Sequence, residues 1–512
     1  MADAVATVCL KRGCAKPLHA GHPWVFADAV ARIEGQNISP GSEVRVVDDR
    51  GTCIGRGFYS PHSAIAVRII TRADAPITPS LIESRIDEAL RLRRDVLHCG
   101  TGVGQASCLS RTPTSGTGCQ SVSTGKMPVL QAGKMPALPD NPELAAIEEQ
   151  LAKIQSFAAL YGMDALEETA ALRKRREELL KSLGAAAGSA GVPAGLGAGN
   201  TQAGETPALP GRPTDAYRLV NSEGDGLGGL TVDVYGDYVA LQIGTPGMAR
   251  CQETILNTLA SRLAPQAILD RSDAHTWQLE KMSGHTGAVL RGQAPEAAFP
   301  VHEHGLEMLC DLRRGHSQKT GLFLDQRENR RRFAAFAPGR NVLDVFCYSG
   351  GFAVHAARAG AKSITLLDSS AEALELARAN LERNGIKDAD LIQAEWTEGF
   401  KRLREAGRLF DLLVLDPPKF ARGKDNVAQA LTAYRDLNAQ AARLLAPGGL
   451  LFTCSCSGNV SEVEFERAVA GGLRLVERRA MLLERRGAAP DHPVPPGFDQ
   501  GRYLKCLVLQ VL

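Results

Sequence analysis

The chain has 512 residues, of which 44% are hydrophobic and 23% charged, a composition typical of globular proteins and not of disordered or fibrous ones. Its 59 Lys and Arg residues nearly balance its 57 Asp and Glu residues, so any affinity for nucleic acid must come from local basic patches. No apolar run approaches the roughly 18 residues of a membrane span and the first residues lack a signal peptide's apolar core, so we expect a cytoplasmic protein without membrane contact.

The N-terminal segment, residues 5–72, alternates short apolar runs such as VRVVD, CIGRGFY and IAVRII with Gly and Pro turns. Because short strands separated by turn residues are typical of small sandwiches and barrels, this segment predicts a small β-barrel. Residues 73–98 follow it and are expected to form a connecting helix.

Residues 99–215 are rich in Gly, Ala, Ser, Thr and Pro, and they contain copies of themselves. Gln131–Pro142 returns as Gln202–Pro213 with eight of twelve positions identical, and a shorter TGKMPVL motif is repeated after eight residues as AGKMPAL. Such repeats cannot bury a core, so we predict a low-complexity insertion that is disordered at both ends. Within it, residues 142–183 are dense in Ala, Leu, Glu, Lys and Arg and predict a helical island. The island is either a tolerated insertion or a partner-binding segment.

Two further segments follow the insertion. Residues 216–318 combine strands such as LTVDVYGDYVALQI with the helical stretch CQETILNTLASRLA, which predicts a central α+β domain. Residues 319–512 alternate strands and helices in a regular order. This order predicts a Rossmann-like α/β domain, in which helices cover both faces of a parallel sheet.

The first two strands of this domain carry features of a nucleoside-binding edge. The strand NVLDV contains Asp344 and is followed by a turn of small residues, Ser349-Gly350-Gly351, and by a helix. Such a turn brings backbone N–H groups close to a ligand at the carboxyl edge of the sheet. The next strand ends in Asp368, which can accept hydrogen bonds from a ribose diol. Because the turn lacks G-x-G-x-x-G, we expect an adenosine-type cofactor without a pyrophosphate.

The fourth strand of the domain, DLLVL, runs into Asp416-Pro417-Pro418 and then Phe420. Two prolines fix a rigid extended turn at the sheet edge and direct Asp416 into the crevice. An acidic residue followed by Pro-Pro and an aromatic resembles the fourth motif of class I S-adenosylmethionine methyltransferases that act on nucleobases.

Pro447-Gly448-Gly449 predicts a turn, and the strand after it delivers Cys454 and Cys456 to the same edge, since on a strand two residues that are two apart face the same side. Cytosine C5 does not take a methyl group unaided, whereas addition of a thiolate at C6 turns the ring into an enamine. The pair therefore predicts cytosine C5 methylation, with Cys454 as nucleophile because it ends the apolar run. Cys456 is expected to shape the pocket or to assist product release. A cysteine on a strand can also be a buried apolar residue.

The other cysteines are scattered, with no C-x-x-C pair and no Cys/His spacing suited to zinc. His302 and His304 alternate on an expected strand, but no third ligand is in sight. We predict neither a disulfide framework nor a metal site.

Several motifs occur together: GLFLDQRENR at 321–330, the Asp344 strand and its turn, DPPKF at 416–420 and TCSCS at 453–457. This combination resembles the bacterial ribosomal large subunit methyltransferase I family, which makes 5-methylcytosine in 23S rRNA. The N-terminal LKRG and AGHPWVF are similar to that family's PUA barrel, a small RNA-binding module. The resemblance covers residues 5–98 and 216–512.

The resemblance implies roles for single residues. Phe323, Asp325 and Gln326 border the cofactor pocket, Asp344 and Gly350 lie beside the methionine part of S-adenosylmethionine, and Asp368 takes the ribose. From its place at the sheet edge, we also assign Ser349 to cofactor binding, and Asp416 both to cofactor binding and to the orientation of the target base. Where the family usually has an Asp near the adenine, this chain has Glu395, whose side chain is one methylene longer. Gly13–Pro17 also departs from the more charged sequence of the family's PUA domain.

Local charge supports RNA binding. Residues 1–72 hold nine basic and six acidic residues, and 311–332 hold seven and three, so both windows exceed the balance of the whole chain. Trp24 is expected to stack on a base, and basic side chains are expected to contact phosphates. The basic residues so assigned are Lys11, Arg12, Arg313, Arg314, Lys319, Arg327 and Arg330 to Arg332.

Taken together, these features predict an enzyme that transfers a methyl group from S-adenosylmethionine to C5 of a cytosine in rRNA, 23S rRNA by the resemblance, with RNA as its partner. Two alternatives stay open. The acceptor is a base nitrogen of guanine or adenine, which needs no thiol, or the chain is a non-catalytic RNA-binding protein with a PUA domain. A homodimer is open as well.

Overall fold

The computed structural model describes residues 5–35, 38–99, 214–282, 287–313, 321–421 and 423–512. The predicted insertion therefore lies outside the described residues except at its ends, and so does the predicted helical island at 142–183. Arg314 and Lys319, two of the predicted RNA contacts, are outside them too.

The N-terminal segment forms a six-stranded sheet in the order β2-β6-β5-β4-β1-β3. Inward side chains of these strands, among them Val8, Val44 and Val67, form a core of their own because alternate strand residues face the same side. The elements are β1 Ala6–Leu10, α1 Lys16–His19, β2 Trp24–Phe26, β3 Val30–Glu34, β4 Glu43–Val47, β5 Cys53–Tyr59 and β6 Ile65–Thr71.

A helix, α2 (Pro79–Arg91), follows the N-terminal sheet and ends in a wider turn at Leu92–Val96. Thr78 caps its start by accepting a hydrogen bond from the Leu81 N–H, which meets one of the unpaired donors of the first turn. Its apolar face packs on the second sheet through buried Ile82 and Ile86.

The second sheet has five strands in the order β11-β10-β9-β8-β7, with three helices between β9 and β11. A two-stranded antiparallel hairpin, β12 with β13, follows. These elements are β7 Ala216–Asn221, β8 Leu230–Tyr235, β9 Tyr238–Ile243, α3 Pro246–Arg250, α4 Gln252–Leu263, β10 Ala267–Asp270, α5 Ala274–Leu279, β11 Val289–Gly292, β12 Phe299–Glu303 and β13 Leu306–Cys310.

The C-terminal sheet has seven strands in the order β16-β15-β14-β17-β18-β20-β19. The strands are β14 Asn341–Val345, β15 Ser363–Asp368, β16 Ala389–Gln393, β17 Phe410–Leu415, β18 Leu445–Ser455, β19 Ala480–Arg486 and β20 Lys505–Val511. The helices are α6 Arg327–Ala334, α7 Gly351–Arg358, α8 Ala371–Arg383, α9 Trp396–Glu405, α10 Val427–Ala442 and α11 Glu462–Leu475.

The C-terminal sheet is buried on both faces, as predicted. Along β17, Leu412 and Val414 join one apolar cluster, whereas Leu413 and Leu415 join the cluster on the opposite face. One strand departs from the predicted parallel arrangement, because β20 is antiparallel to both β18 and β19.

The expected turn at Pro447-Gly448-Gly449 is wrong, because these residues lie inside β18. The strand begins at Leu445, which pairs with Phe410 of β17. The next pair joins Leu450 to Leu412, so β18 has more residues than β17 between the two pairs and the register shifts there. Gly448, at φ +79°, adopts the left-handed conformation that this bulge requires.

Candidate active site

The carboxyl ends of β14, β15 and β17 border a cavity of about 730 Å³. A volume of this size suits a small-molecule ligand together with part of a substrate. The cavity is lined by Glu303, Met308, Leu322, Phe323, Asp325, Gln326, Arg330, Phe346, Cys347, Tyr348, Ser349, Gly351, Phe352, Asp368, Ser369, Glu395, Asp416, Pro417, Pro418, Lys419, Cys456, Tyr503 and Leu504.

The turn after β14 forms one wall of the cavity and holds an unusual backbone conformation. Phe346, Tyr348 and Gly350 have φ values of +60°, +48° and +72°, although the first two are not glycines. The turn is held by its surroundings, since Asn380 donates a 2.8 Å side-chain hydrogen bond to the Ser349 carbonyl. Non-glycine residues in the left-handed region persist only where the surroundings fix them, and they are common at binding sites.

Asp344 lies beneath this turn and does not line the cavity. Its side chain is 1% exposed, and its Oδ2 accepts a 3.0 Å hydrogen bond from the Ala353 N–H. Its Oδ1 is buried without a hydrogen-bond partner among the described residues. Burial raises the pKa of Asp344 to about 8, and the negative charges of Asp416 and Asp368 raise it as well. A cation bound nearby would favour the ionised form of this carboxyl.

Asp368, predicted to hold a ribose, lines the cavity in a fixed orientation. Its Oδ2 accepts a 3.0 Å hydrogen bond from the Tyr348 N–H and its Oδ1 a 2.9 Å bond from the Ser370 N–H. Glu395, the residue before α9, lines the same cavity, and so does Phe323, whose ring meets that of Tyr348 edge-on at 5.1 Å. These residues are brought together as the resemblance implied.

Gln326 and Asp416 come from distant parts of the chain and meet in the cavity wall. The Gln326 side-chain amide donates a 2.8 Å hydrogen bond to Asp416 Oδ1, and Asn329 in turn donates 2.7 Å to Gln326 Oε1. Asp325 accepts a 2.7 Å hydrogen bond from the hydroxyl of Tyr503.

Sequence reasoning missed Tyr503, Leu504, Arg330 and Glu303 as lining residues. Tyr503 and Leu504 lie just before β20 and belong to no recognisable motif. No spacing rule connects them with the strands that carry Asp344 and Asp368.

The two cysteines differ in position, and the prediction that both face the cavity is wrong. Cys454 is fully buried and pairs in register with Cys506 of β20. Cys456 lies beyond the end of β18, lines the cavity and has its Sγ 4.0 Å from the Pro417 carbonyl oxygen. The alternation of a strand no longer applies at Cys456, because β18 ends at Ser455.

The chemistry of the two thiols differs accordingly. The contact with Cys506 and burial raise the pKa of the Cys454 thiol well above its ordinary value. Lys505 Nζ donates hydrogen bonds to the carbonyls of Ser457 and Val460 at 2.7 and 2.8 Å, and it interacts electrostatically with Cys456. Lys419 lines the same cavity. Cations beside a cysteine favour its thiolate.

The cavity is acidic as a whole. Five carboxylates and two basic side chains line it. One carboxylate and one basic side chain neutralise each other, because Arg330 forms an ion pair with Glu303 at 2.6 Å. This set of carboxylate acceptors matches the positively charged sulfonium and amino groups of S-adenosylmethionine. The buried Oδ1 of Asp344, which has no hydrogen-bond partner among the described residues, adds an acceptor beneath the turn. The residues present therefore fit the expected cofactor.

The predicted RNA contacts have different surroundings. Lys11 and Arg12 are exposed, and Lys11 Nζ donates to the Asp28 carbonyl. Arg313 is exposed and pairs with Asp311. Trp24 is half-buried, with its indole N–H donated to Glu223 at 2.7 Å and its ring 4.7 Å from that of Phe498.

Two of the predicted phosphate contacts are wrong. Arg327 is 2% exposed and donates a 2.6 Å hydrogen bond to buried Asp491, and Arg330 is 7% exposed and pairs with Glu303. Both guanidinium groups form buried ion pairs, so neither can reach a phosphate. Arg331 is exposed, and Arg332 pairs with Glu484.

The part of the chain that the structure describes contains no group of three His, Cys, Asp or Glu side chains suited to a metal ion. Across the same residues, no helix is both long and apolar enough to cross a membrane.

Comparison with known proteins agrees with this geometry. Residues 8–72 match the model of a PUA-like domain, and residues 271–492 match that of an S-adenosylmethionine-dependent methyltransferase. A solved structure described as an S-adenosylmethionine-dependent methyltransferase from Streptococcus mutans is 17% identical, with a TM-score of 0.66 over 99% of this chain and 100% of that one. Another, described as a methyltransferase complexed with SAH, has a TM-score of 0.67 at 17% identity over the same shares.

Curated relatives match over nearly the whole chain. Proteins named ribosomal RNA large subunit methyltransferase I from Shewanella denitrificans and Shewanella frigidimarina are 30% and 38% identical, each over 505 residues and 98% of both chains. The protein of the same name from Erwinia tasmaniensis is 31% identical over 508 residues, again 98% of both chains. The predicted fold class and the S-adenosylmethionine cofactor are confirmed. The chain belongs to the ribosomal RNA large subunit methyltransferase I family of S-adenosylmethionine-dependent methyltransferases.

Proposed function

We propose that this protein methylates C5 of a cytosine in large-subunit ribosomal RNA and that Cys456 is its nucleophile. The names of its relatives support the rRNA substrate. The observation that carries the C5 assignment is a thiol at the wall of the acidic cavity that interacts electrostatically with Lys505, in a cavity that Lys419 also lines. Methylation of a base nitrogen has no use for such a thiol.

The cavity divides into two parts by its chemistry. Asp368, Glu395 and Phe323 would hold the nucleoside part of the cofactor, and the buried carboxyl of Asp344, beneath the turn after β14, would lie behind its cationic part. When bound, S-adenosylmethionine supplies an electrophilic methyl group. Pro417, Lys419 and Cys456 border the remaining space, which would receive the target base.

The thiolate of Cys456 adds to C6 of the cytosine, so a sulfur–carbon bond forms and the electrons of the C5–C6 double bond become available at C5. C5 gains the methyl group as the bond between that methyl and the donor sulfur breaks, with its electrons left on the sulfur, and C5 then loses its proton to a water molecule. The electrons of the C5–H bond restore the double bond as the sulfur–carbon bond breaks, which returns the thiolate. Each bond made to the enzyme is therefore broken again within one turnover.

Two further groups assist this sequence. Lys505 favours the thiolate of Cys456 through its positive charge, and Lys419 adds a second cation to the same cavity. Asp416 can accept a hydrogen bond from the cytosine amino group, and the amide of Gln326 fixes the orientation of that carboxylate.

Cys456 replaces Cys454 as our candidate for a physical reason. A nucleophile must reach within bonding distance of C6, and Cys454 is 0% exposed on β18, where it pairs with Cys506 of β20. Its raised thiol pKa also disfavours the thiolate.

Trapping of the covalent intermediate tests the proposal. RNA with 5-fluorocytosine at the target has no C5 proton to lose, so the sulfur–carbon adduct accumulates and can be measured by denaturing electrophoresis and mass spectrometry. We expect the wild type and Cys454→Ala to form the adduct and Cys456→Ala to form none. Circular dichroism of both variants checks that each is folded.

Other outcomes would contradict parts of the proposal. An adduct with Cys456→Ala but not with Cys454→Ala would return the nucleophile to Cys454. Methyl transfer without an adduct in any variant would favour a base nitrogen as acceptor. No methyl transfer to rRNA from intact S-adenosylmethionine would favour a non-catalytic RNA-binding protein.

A further inference from the structure

A second cavity, of about 250 Å³, lies where the N-terminal sheet meets the five-stranded sheet. We call it the junction pocket. It is separate from the methyl-transfer cavity, since the two share no lining residue. Its walls are formed by Trp24, Arg68, Ser222, Glu223, Gly229, Thr231, Gln242, Ile243, Gly244, Asp273 and Thr276.

One wall of the junction pocket is a paired aromatic and cation from the N-terminal sheet. Trp24 of β2 and Arg68 of β6 are direct partners in the antiparallel register. The Trp24 indole N–H donates to Glu223 at 2.7 Å, and its ring is supported edge-on by Phe498 at 4.7 Å. The ring is thus held in place before any ligand binds.

Arg68 has a hydrogen-bonding capacity that its surroundings leave unused. Its side chain is 14% exposed, and its Nε lies 3.5 Å from Glu223 Oε1. Its Nη1 is buried and has no hydrogen-bond partner among the described residues. A buried donor without a partner costs free energy, so an acceptor that enters the pocket would gain more than an ordinary hydrogen bond.

The charge of the junction pocket selects the kind of ligand. Two carboxylates, Glu223 and Asp273, line it against the one cation of Arg68. A phosphate would therefore be repelled, whereas an uncharged base with an amino donor and a carbonyl acceptor would meet matching groups. The volume is also of the size of one base.

We infer that the junction pocket binds one unstacked nucleobase of the RNA substrate, a guanine or a cytosine, at a distance from the methylated nucleotide. The inference rests on the proposed function in that rRNA is the substrate. Arg68 donates to the carbonyl of the base, a carboxylate accepts from its amino group, and Trp24 contacts its ring. RNA recognition of this kind relies on unstacked bases held by aromatic and Arg side chains.

One segment of the chain connects the two cavities. Phe498 supports Trp24 at the junction pocket, and Tyr503, five residues later, lines the methyl-transfer cavity. A base bound against Trp24 would therefore lie one side chain away from the segment that borders the methyl-transfer cavity.

Two variants alter the junction pocket by different means. Arg68→Gln removes the unpartnered donor. Gly244→Val fills the space without a change of charge, since a Cβ at Gly244 would meet only the Gly229 carbonyl at 3.6 Å and Thr276 at 4.0 Å. The matched controls are Arg50→Gln, an exposed arginine of the same sheet domain, and Gly471→Val on α11, where a Cβ meets Arg435 at 3.7 Å.

The experiment measures binding of the full chain to a 23S rRNA transcript by filter binding, with thermal unfolding as the check of folding. We expect Arg68→Gln and Gly244→Val to weaken RNA binding about tenfold or more relative to their controls, since loss of a base contact has effects of this size. Cross-linking at 254 nm followed by mass spectrometry is expected to find a nucleotide on the peptides that contain Trp24 or Arg68. If Gly244→Val does not fold, RNA binding of Gly244→Ala and of Arg68→Gln is compared with that of the controls instead.

RNA binding by both variants equal to that of their controls would overturn the inference. So would a loss in Arg68→Gln that Arg50→Gln matches while Gly244→Val binds normally, because charge alone would then explain it. Affinity for S-adenosylmethionine and 5-fluorocytosine trapping separate this result from the proposed function. If the junction-pocket variants bind RNA more weakly but no adduct forms with the wild type, the C5 chemistry is rejected and the junction pocket is kept. If the adduct forms normally but the variants bind RNA as well as their controls, the junction pocket is rejected and the C5 chemistry is kept.

Discussion

The side-chain amide of Gln326 donates a 2.8 Å hydrogen bond to the carboxylate of Asp416, 90 residues away in sequence. Gln326 is 2% exposed and is itself oriented by Asn329. This contact joins the segment before α6 to the turn after β17, and it fixes the direction of the acidic group that we assign to the target base.

Replacement of Gln326 by Leu is expected to lower activity. A hydrogen bond to a charged group contributes about 1.5–3 kcal/mol, so kcat/KM should fall about ten- to a hundredfold. Methyl transfer to rRNA from labelled S-adenosylmethionine measures this effect. Gln440→Leu, at a distant exposed hydrogen bond to Arg404, is the control. Equal activity of the two variants would remove Gln326 and Asp416 from the site.

Replacement of Asp368 by Ala is expected to weaken cofactor binding. The loss of an acceptor for the ribose should cost on the order of 1.5–3 kcal/mol, about ten- to a hundredfold in affinity. Isothermal titration with S-adenosylmethionine measures it. Asp390→Ala, in the neighbouring strand β16 and paired with Arg408 at the surface, should bind normally. Unchanged affinity in a folded Asp368→Ala would refute the ribose assignment.

Asp344 is expected to couple cofactor binding to protons. With a pKa of about 8 it is mostly protonated at pH 7, and a bound cation favours its ionised form. Binding of S-adenosylmethionine at pH 7 should therefore release up to one proton, and affinity should rise from pH 6 to pH 8. Titration calorimetry in buffers of different ionisation enthalpy measures the release. Asp344→Asn should abolish it; a release that persists would place the titrating group elsewhere.

The raised pKa of Asp344 also affects stability in the cofactor-free protein. Between the ordinary pKa of an Asp, about 4, and the folded value of about 8, the folded state binds the extra proton. Its contribution to stability is therefore fully present below pH 4 and is lost as the pH rises through 8. Urea unfolding at pH 5 and pH 8 should show a smaller loss of stability with pH in Asp344→Asn than in the wild type.

Arg313 and Arg327, both predicted to contact phosphates, should behave in opposite ways. Arg327→Met leaves the buried carboxylate of Asp491 without its cation, which should reduce the free energy of unfolding by about 3–5 kcal/mol. Arg313→Met should leave stability unchanged and flatten the salt dependence of RNA binding by about one phosphate contact. Urea unfolding and filter binding at several salt concentrations distinguish the two. An Arg327 variant that is stable but binds RNA poorly would contradict the buried pair.

The insertion is expected to be dispensable for catalysis. Residues 100–213 can be replaced by a Gly/Ser linker, provided that Cys99, which is 3% exposed, and Thr214 are kept. Turnover should stay within a few-fold, because the closure entropy of a connecting segment changes slowly with its length. A collapse of methyl transfer in a folded variant would assign a role to the segment at 142–183.

Sequence alone determined the features that depend on local pattern. The carboxylates Asp344, Asp368 and Asp416 end or follow apolar strands, and parallel strands bring such ends to one edge of a sheet whatever the rest of the chain does. The edge that we assign to the cofactor could therefore be predicted from spacing and from the resemblance. The strands of the N-terminal sheet follow in the same way from short apolar runs between turns.

Only the tertiary structure decided which polar side chains are accessible. Period-two alternation holds within a strand, so it could not distinguish Cys454 from Cys456 once β18 ends at Ser455 and the chain leaves the sheet. A run of arginines predicts a basic surface patch. Arg327 is nevertheless buried, because it forms an ion pair with Asp491, 164 residues later in the chain. Such pairings depend on long-range packing, which no local pattern encodes, and that packing decides which cysteine lines the cavity and which arginines are exposed.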